Sequence, residues 1–141
     1  MKIESPRFGT LEIDESRILH FERGLPGFPR CTRFIVMEHD RETPLKWLQC
    51  LDRPELAFLI AEPDQILPDY ALEVPEPALA AIGSGPGAPP GSLAAFLILN
   101  VDEGCLTANL RAPVIVNIEQ RRALQWILED PELPMRQQIG A

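Results

Sequence analysis

Apolar residues occur in this chain as short runs of roughly five to seven positions, separated by Gly, Pro and Asp residues that favour turns. Several runs are rich in β-branched and aromatic side chains, which suit a pleated strand. Strands are therefore predicted at residues 9–13, 17–21, 33–37, 46–51, 56–61, 93–99 and 123–128. For residues 93–99 a buried helix fits the periodicity as well. Many short strands at this spacing predict an all-β, mainly antiparallel fold, either a small barrel or a sandwich.

Residues 107–117 carry the clearest single pattern in the chain. Pro113 fixes its own backbone and keeps the preceding residue extended. The β-branched side chains that follow it at 114–116 suit a buried strand. We expect an extended strand pair joined near the proline, with Asn109 and Asn117 flanking the second strand. The block holds no nucleophile, general base or metal-ligand cluster, so it indicates a binding scaffold.

One short helix is predicted at residues 77–82, because Pro77 suits the first turn and Gly83 suits the position after the last turn. The Gly- and Pro-rich residues 83–91 predict a flexible, uncharged internal loop. This loop lacks the GK[ST] ending and the preceding strand that a phosphate-binding loop needs. We expect a single domain over residues 1–135 and a disordered tail at 136–141.

Charge is distributed unevenly along the 141 residues, whose formal net charge is −8. Residues 61–110 contain seven acids and no lysine or arginine, which gives this third alone −7. Such a field repels nucleic-acid phosphates and attracts a basic partner. The alternative interpretation is a solvated acidic surface that only keeps the protein in solution. The acids are Glu62, Asp64, Asp69, Glu73, Glu76, Asp102 and Glu103.

The cysteines predict neither a disulfide nor a metal site, and the first residues predict a cytoplasmic protein. Cys31, Cys50 and Cys105 are odd in number and widely spaced, so they fit neither a disulfide framework nor a CxxC metal site. We expect three reduced thiols, mostly buried; Cys31, near two arginines, is the candidate for a lowered pKa. No apolar run reaches the ~20 residues needed to cross a bilayer, and the first residues do not resemble a signal peptide.

Candidate chemistry is sparse. The run Glu38-His39-Asp40 offers three metal ligands side by side, but successive strand residues point to opposite faces, so convergence needs a sharp turn. A metal-dependent enzyme using these residues is the weakest of the alternatives, and no cofactor is predicted. Tyr70 lies among the acids, where an amphipathic ring suits either an interface or the core.

The order of several short motifs resembles the flagellar assembly factor FliW family. The resemblance extends from the first strands to about residue 135, so it covers nearly the whole chain. Arg111 departs from the family pattern, which more often has an uncharged residue at that position. The matching motifs are residues 2–13, 21–28, 47–49, 56–58 and 68–70, Asp52, Pro54, the block 107–117 and residues 121–123.

The resemblance implies a non-enzymatic, β-barrel-like protein that is a monomer when free. It implies two partners: flagellin, and the CsrA-type RNA-binding translational regulator, whose repression of flagellin synthesis the factor relieves. Acids docked near the RNA path of that regulator would repel RNA. A generic small barrel that binds another protein by strand addition is the alternative. The predicted partner-binding residues are Glu62, Asp64, Asp69, Tyr70, Glu73, Asn109, Asn117 and Arg121.

Overall fold

The computed structural model describes residues 1–38, 42–85, 87–89 and 91–139. These residues form eleven strands, two short α-helices and one 3₁₀ turn at Glu15–Arg17. The helices are α1 (Pro63–Ile66) and α2 (Glu76–Ala81). The strands are β1 (Lys2–Ser5), β2 (Gly9–Glu12), β3 (Leu19–Phe21), β4 (Arg33–Glu38), β5 (Lys46–Cys50), β6 (Ala57–Ala61), β7 (Leu93–Asp102), β8 (Cys105–Ala108), β9 (Val114–Asn117), β10 (Arg122–Gln125) and β11 (Gln137–Gln138).

Seven strands close into a barrel in the order β7-β6-β5-β4-β3-β10-β9, with β9 returning to β7. Closure depends on the length of β7, which is ten residues. Its first half, from Leu93 to Phe96, pairs with β9, and its second half pairs with β6 and β8. Every pair is antiparallel except β3 with β10. The predicted all-β, mainly antiparallel barrel is confirmed.

Aromatic side chains fill the barrel interior. Phe21 and Phe34 are fully buried and contact each other edge to face, with their ring centroids 4.9 Å apart. Leu48, Ile60 and Val114 complete the same core and are also fully buried. Alternation along each strand places these side chains inward, which is why runs with only two or three apolar residues still form barrel strands.

The predicted strand pair within residues 107–117 is wrong in its pairing. Both strands exist, as β8 and β9, but they do not pair with each other: β8 pairs with β7 and β11, and β9 pairs with β7 and β10. Asn109 accepts a hydrogen bond from the Arg111 N–H at 3.0 Å, which turns the chain. Pro113 provides no N–H for a hairpin ladder. The chain therefore passes from one half of β7 to the other.

Helix α1 was not predicted, whereas α2 confirms the predicted helix with a shift of one residue. A single turn that begins at Pro63 carries too short a pattern to be recognised. The structure also differs from the expected disordered tail. Gln137 and Gln138 pair with β8, and Ile139 is buried in a core cluster. Residues 140 and 141 lie outside the described residues.

The cysteines are free thiols in two environments. Cys31 and Cys50 are buried in the barrel core, and Cys105 is exposed at the start of β8. Burial raises the pKa of Cys50 to about 11, so this thiol stays protonated at neutral pH. Cys31, the candidate for a reactive thiol, is shielded from solvent and packs as a small hydrophobic residue.

Asp52 joins the turn after β5 to the start of β4. Its carboxylate accepts hydrogen bonds from the N–H groups of Thr32 and Arg33, each at 2.9 Å, and contacts the Arg33 guanidinium at 3.0 Å. Burial alone would raise the pKa of Asp52, but these hydrogen bonds and the guanidinium charge together hold it below the usual 3.8. A lowered folded-state pKa means that the carboxylate stabilises the fold above the unfolded pKa, and that this contribution disappears as pH falls through the folded value.

We expect Asp52→Asn to lower the free energy of unfolding by about 1–2 kcal/mol at pH 7, because it removes charge-assisted hydrogen bonds. The difference between the variant and the parent should shrink as the pH falls below 3.8. Urea unfolding followed by tryptophan fluorescence at pH 7 and pH 3 measures both quantities. A difference that is equal at the two pH values would contradict this account of Asp52.

Candidate partner-binding surface

The segment that follows β6 lies across the outside of the barrel. Ile66, Leu67 and Tyr70 pack against a core cluster that includes buried residues of β7 and β8 and Ile139, and Val74 packs against the cluster beneath α2. The apolar side chains of this segment thus point at the barrel. Ile66, Leu67 and Tyr70 share one cluster and Val74 packs on another, so the segment is fixed at two places on the barrel wall.

The acids of the same segment point outward. We call the side chains of Glu62, Asp64, Asp69 and Glu73 the acidic strip. Glu62 is half-buried and the other three are exposed. Within the described residues, none of the four is in an ion pair. The strip therefore carries four negative charges without an ion-pair partner among the described residues, although Glu62 lines a cleft together with Lys46.

Tyr70 holds this segment on the barrel. Its hydroxyl donates a hydrogen bond to the Leu110 carbonyl at 3.1 Å. The side chain is partly buried, and this burial raises the pKa of the phenol. Asn109 precedes Leu110 and lies in the turn described above. Tyr70 and Asn109 thus lie next to the acidic strip, with Tyr70 in a structural role that leaves only part of its ring available to a partner.

Arg111 is a structural residue that the sequence pattern missed. Its guanidinium donates hydrogen bonds to the carbonyl oxygens of Pro131, at 2.7 Å, and Leu133, at 3.0 Å. It thereby holds the segment before β11 against the barrel. The sequence offers one signal of this structural role, which is an arginine among apolar residues at the turn between β8 and β9.

Asn117 and Arg121 lie apart from the acidic strip. Asn117 pairs with Leu93 at the start of β7, whereas the N–H of Asn109 donates to the Ile98 carbonyl further along that strand. At about 3.3 Å per residue, this separates the two asparagines by roughly 16 Å. Arg121 has a positive φ of 55° in the turn between β9 and β10. The eight predicted residues therefore form two groups and not one site.

Asn117 is bonded within the fold. It is buried, its amide donates to the Ile82 carbonyl at 2.9 Å, and its side-chain oxygen accepts from the Gln120 N–H. The first bond holds the end of α2 on the barrel wall. This arrangement favours a structural role over the interface role that the sequence suggested.

Asn117→Ala should lower the free energy of unfolding by about 1–3 kcal/mol, since it leaves a buried carbonyl without a donor. Thermal or urea unfolding measures the change, with Asn109→Ala as the half-buried control for which a smaller loss is expected. A stable Asn117→Ala variant that had lost partner binding would instead establish the interface role.

A cavity of about 670 Å³ opens at the end of the barrel that carries Arg121. Leu19, Val36 and Val116 form its apolar wall, and Arg17 lies at its charged rim. Among the described residues, no three His, Cys, Asp or Glu side chains converge to hold a metal ion. Glu38 also lines this cavity, but its predicted co-ligands His39 and Asp40 lie outside the described residues.

Taken together, these features define a small all-β barrel protein with an acidic segment on its outer wall. The family model described as FliW protein matches residues 2–139, and the chain belongs to this family of flagellar assembly factors. In the parts of the chain that the structure describes, no helix has the length and apolar content needed to cross a membrane.

Similar proteins support this assignment along the full length. The flagellar assembly factor FliW of Caldicellulosiruptor bescii is 32% identical over 136 residues, covering 95% of this chain and 87% of the relative. That of Syntrophus aciditrophicus is 34% identical over 141 residues, covering 99% and 87%. A crystal structure of the flagellar assembly factor FliW superposes with a TM-score of 0.87 at 30% identity, covering 98% of this chain and 96% of the other.

Proposed function

We propose that this protein binds flagellin and a CsrA-type RNA-binding translational regulator, and that it relieves the repression of flagellin synthesis by that regulator. Membership of the flagellar assembly factor family places the protein in flagellum assembly. The resemblance in its motifs supplies the two partners. In this proposal the protein acts in the cytoplasm, as a monomer when free, and by binding instead of catalysis.

The observation that carries the regulatory half of the proposal is the acidic strip. The sequence has no lysine or arginine between Arg53 and Arg111, so the charge of this surface is not neutralised by neighbours along the chain. RNA binding depends strongly on phosphate contacts to basic side chains. When this protein docks beside such a surface, its four carboxylates repel the RNA phosphates and weaken RNA binding without occupying the RNA site itself.

Distance limits this mechanism. At physiological ionic strength the Debye length is about 8 Å, so the acids must lie close to the path of the RNA to act on it. The strip is accessible enough to come close to bound RNA, because the side chains of Asp64, Asp69 and Glu73 are exposed on the outer wall and free to approach a partner. Flagellin competes with the regulator for the protein, so the supply of free flagellin sets how much regulator remains active.

Titration calorimetry with each purified partner tests the proposal. We expect saturable binding of one copy of this protein per regulator protomer, and saturable binding of flagellin in a separate titration. Binding of flagellin alone would remove the regulatory half. Binding of neither would leave the alternative of a small barrel with a different protein partner, identified by capture from the flagellated host.

A further inference from the structure

One edge of β10 is left open in the barrel wall. On the β3 side, pairing stops after Ala123, because the chain leaves the sheet beyond Phe21 to form the turn at residues 24–27. On the β9 side, pairing continues: the Trp126 N–H donates to the Pro113 carbonyl at 2.9 Å, and the Leu128 N–H donates to the Arg111 carbonyl at 2.7 Å.

Strand geometry fixes where the remaining backbone groups point. Since Trp126 and Leu128 direct their backbone groups toward β9, the intervening Gln125 and Ile127 direct theirs to the opposite side. Within the described residues, no backbone hydrogen bond uses the N–H or C=O of Ile127, and Gln125 has no ladder partner on that side. The sheet edge therefore has two successive positions, Gln125 and Ile127, whose backbone groups are unpaired; we call them the open rungs.

Gln125, the first of the two open positions, lines a groove of about 590 Å³, and Ile127 follows the last lining residue, Trp126. One wall is the turn at residues 24–27, where Gly24 has a positive φ of 65° and a Cβ would overlap the Phe28 carbonyl. The other wall is α2, through Ala80 and Ala81. A turn and a helix on either side of an open strand are a common way in which proteins cover a sheet edge. A single extended chain still has room to enter.

Side chains and charges around the groove favour a particular peptide. Trp126 and Leu124 line it as apolar surface, and Ile127, the next residue along the chain, is 59% exposed. Arg122, which begins β10, is in an ion pair with Glu22 at 3.8 Å. Arg23 also lines the groove and has no ion-pair partner among the described residues. Two acids, Glu129 and Asp130, follow the exposed edge. A strand that runs antiparallel to β10 would match these charges with a basic residue near its amino end and an acidic residue near its carboxyl end.

We propose that this groove binds an extended peptide segment of a partner protein by strand addition to Gln125 and Ile127. The segment carries apolar side chains at alternate positions and runs antiparallel to β10. Backbone hydrogen bonds to the open rungs provide the affinity, and the apolar walls select the side chains. This site is separate from the acidic strip and does not depend on the identity of the partners proposed above.

A synthetic peptide, acetyl-Lys-Val-Thr-Val-Thr-Glu-amide, tests the groove directly. We expect it to shift the backbone amide resonances of Gln125 and Ile127 in a saturable titration. The same peptide with N-methyl groups on the three amides that face β10 should bind at least tenfold more weakly. No binding, equal binding of the methylated peptide, or shifts confined to another surface would each overturn the proposal.

Variants of Ile127 separate the backbone contribution from that of the side chain. Ile127→Pro removes a donor that has no partner in the free protein, and we expect at least a tenfold loss of peptide affinity. Ile127→Thr keeps the N–H and should change the affinity less than threefold. If the proline variant does not fold, the amide shifts of the parent protein still decide the question. Equal affinities for two folded variants would contradict strand addition.

Discussion

Replacing Gln49 with leucine is expected to destabilise the protein by about 3 kcal/mol, more than any other single polar substitution considered. Gln49 is fully buried in β5, and its amide NH2 donates its two hydrogens to the carbonyl oxygens of Cys50 and Pro54, both at 2.8 Å; the Leu56 carbonyl, at 3.2 Å, shares one of them. Its side-chain oxygen faces the Ser5 hydroxyl at 3.5 Å. One side chain thus joins β5 to the following turn and to β1.

The magnitude follows from the carbonyls that would remain. Leu56 keeps a second donor, the Cys50 N–H at 3.0 Å, but the carbonyl oxygens of Cys50 and Pro54 would lose the Gln49 donor in a buried environment. Each such loss costs about 1–3 kcal/mol. Leucine has a similar volume, so the variant measures the hydrogen bonds and not a cavity.

Urea unfolding followed by tryptophan fluorescence measures this change. Gln65→Leu is the matched control, because Gln65 is exposed in α1 and its replacement should change the stability by less than about 0.5 kcal/mol. A loss below about 1 kcal/mol for Gln49→Leu would mean that the buried amide contributes little to the fold.

Neutralising the acidic strip is expected to have the largest effect on function. A variant with Glu62→Gln, Asp64→Asn, Asp69→Asn and Glu73→Gln keeps the side-chain shapes and removes four charges. If the strip repels RNA, the coupling free energy between binding of this protein and release of RNA should be about 1–2 kcal/mol smaller in the variant. The variant should then displace RNA roughly 5- to 30-fold less effectively. Binding of the regulator itself should change less, because the amide side chains keep the shape and the hydrogen-bonding capacity of this surface.

The measurement is the displacement of labelled RNA from the regulator, at 0.15 M and at 0.5 M salt. The effect should be smaller at the higher salt, where the Debye length is shorter. The matched control removes four exposed charges from other surfaces, and it should displace RNA as the parent does. Equal displacement by the strip variant and the parent would contradict the electrostatic mechanism. The control substitutions are Glu4→Gln, Glu12→Gln, Glu15→Gln and Glu119→Gln.

The strands were predictable wherever the local pattern alone determines the structure. Residues 57–61 and 114–116 form strands because their β-branched and aromatic side chains favour extended backbone in almost any packing. Pairing was not predictable from the same signal. β8 and β9 both pair with β7, because this strand is ten residues long and has room for one partner along each half. No short window of sequence contains that information.

Site residues divide in the same way. The outward direction of the acids follows from the cost of burying a carboxylate, so the exposure of Asp64 and Asp69 could be expected from composition. The role of Asn117 could not be predicted, because its partner Ile82 is 35 positions away in sequence. The open edge of β10 could not be predicted either, since it arises only where β3 leaves the sheet.

The most direct test of the central proposal is a competition measurement with three purified components and one RNA. The regulator is first saturated with labelled RNA, this protein is then titrated in, and the experiment is repeated with saturating flagellin. The account predicts that this protein releases the RNA and that flagellin restores RNA binding. RNA binding that this protein leaves unchanged, or release that flagellin does not reverse, would contradict it.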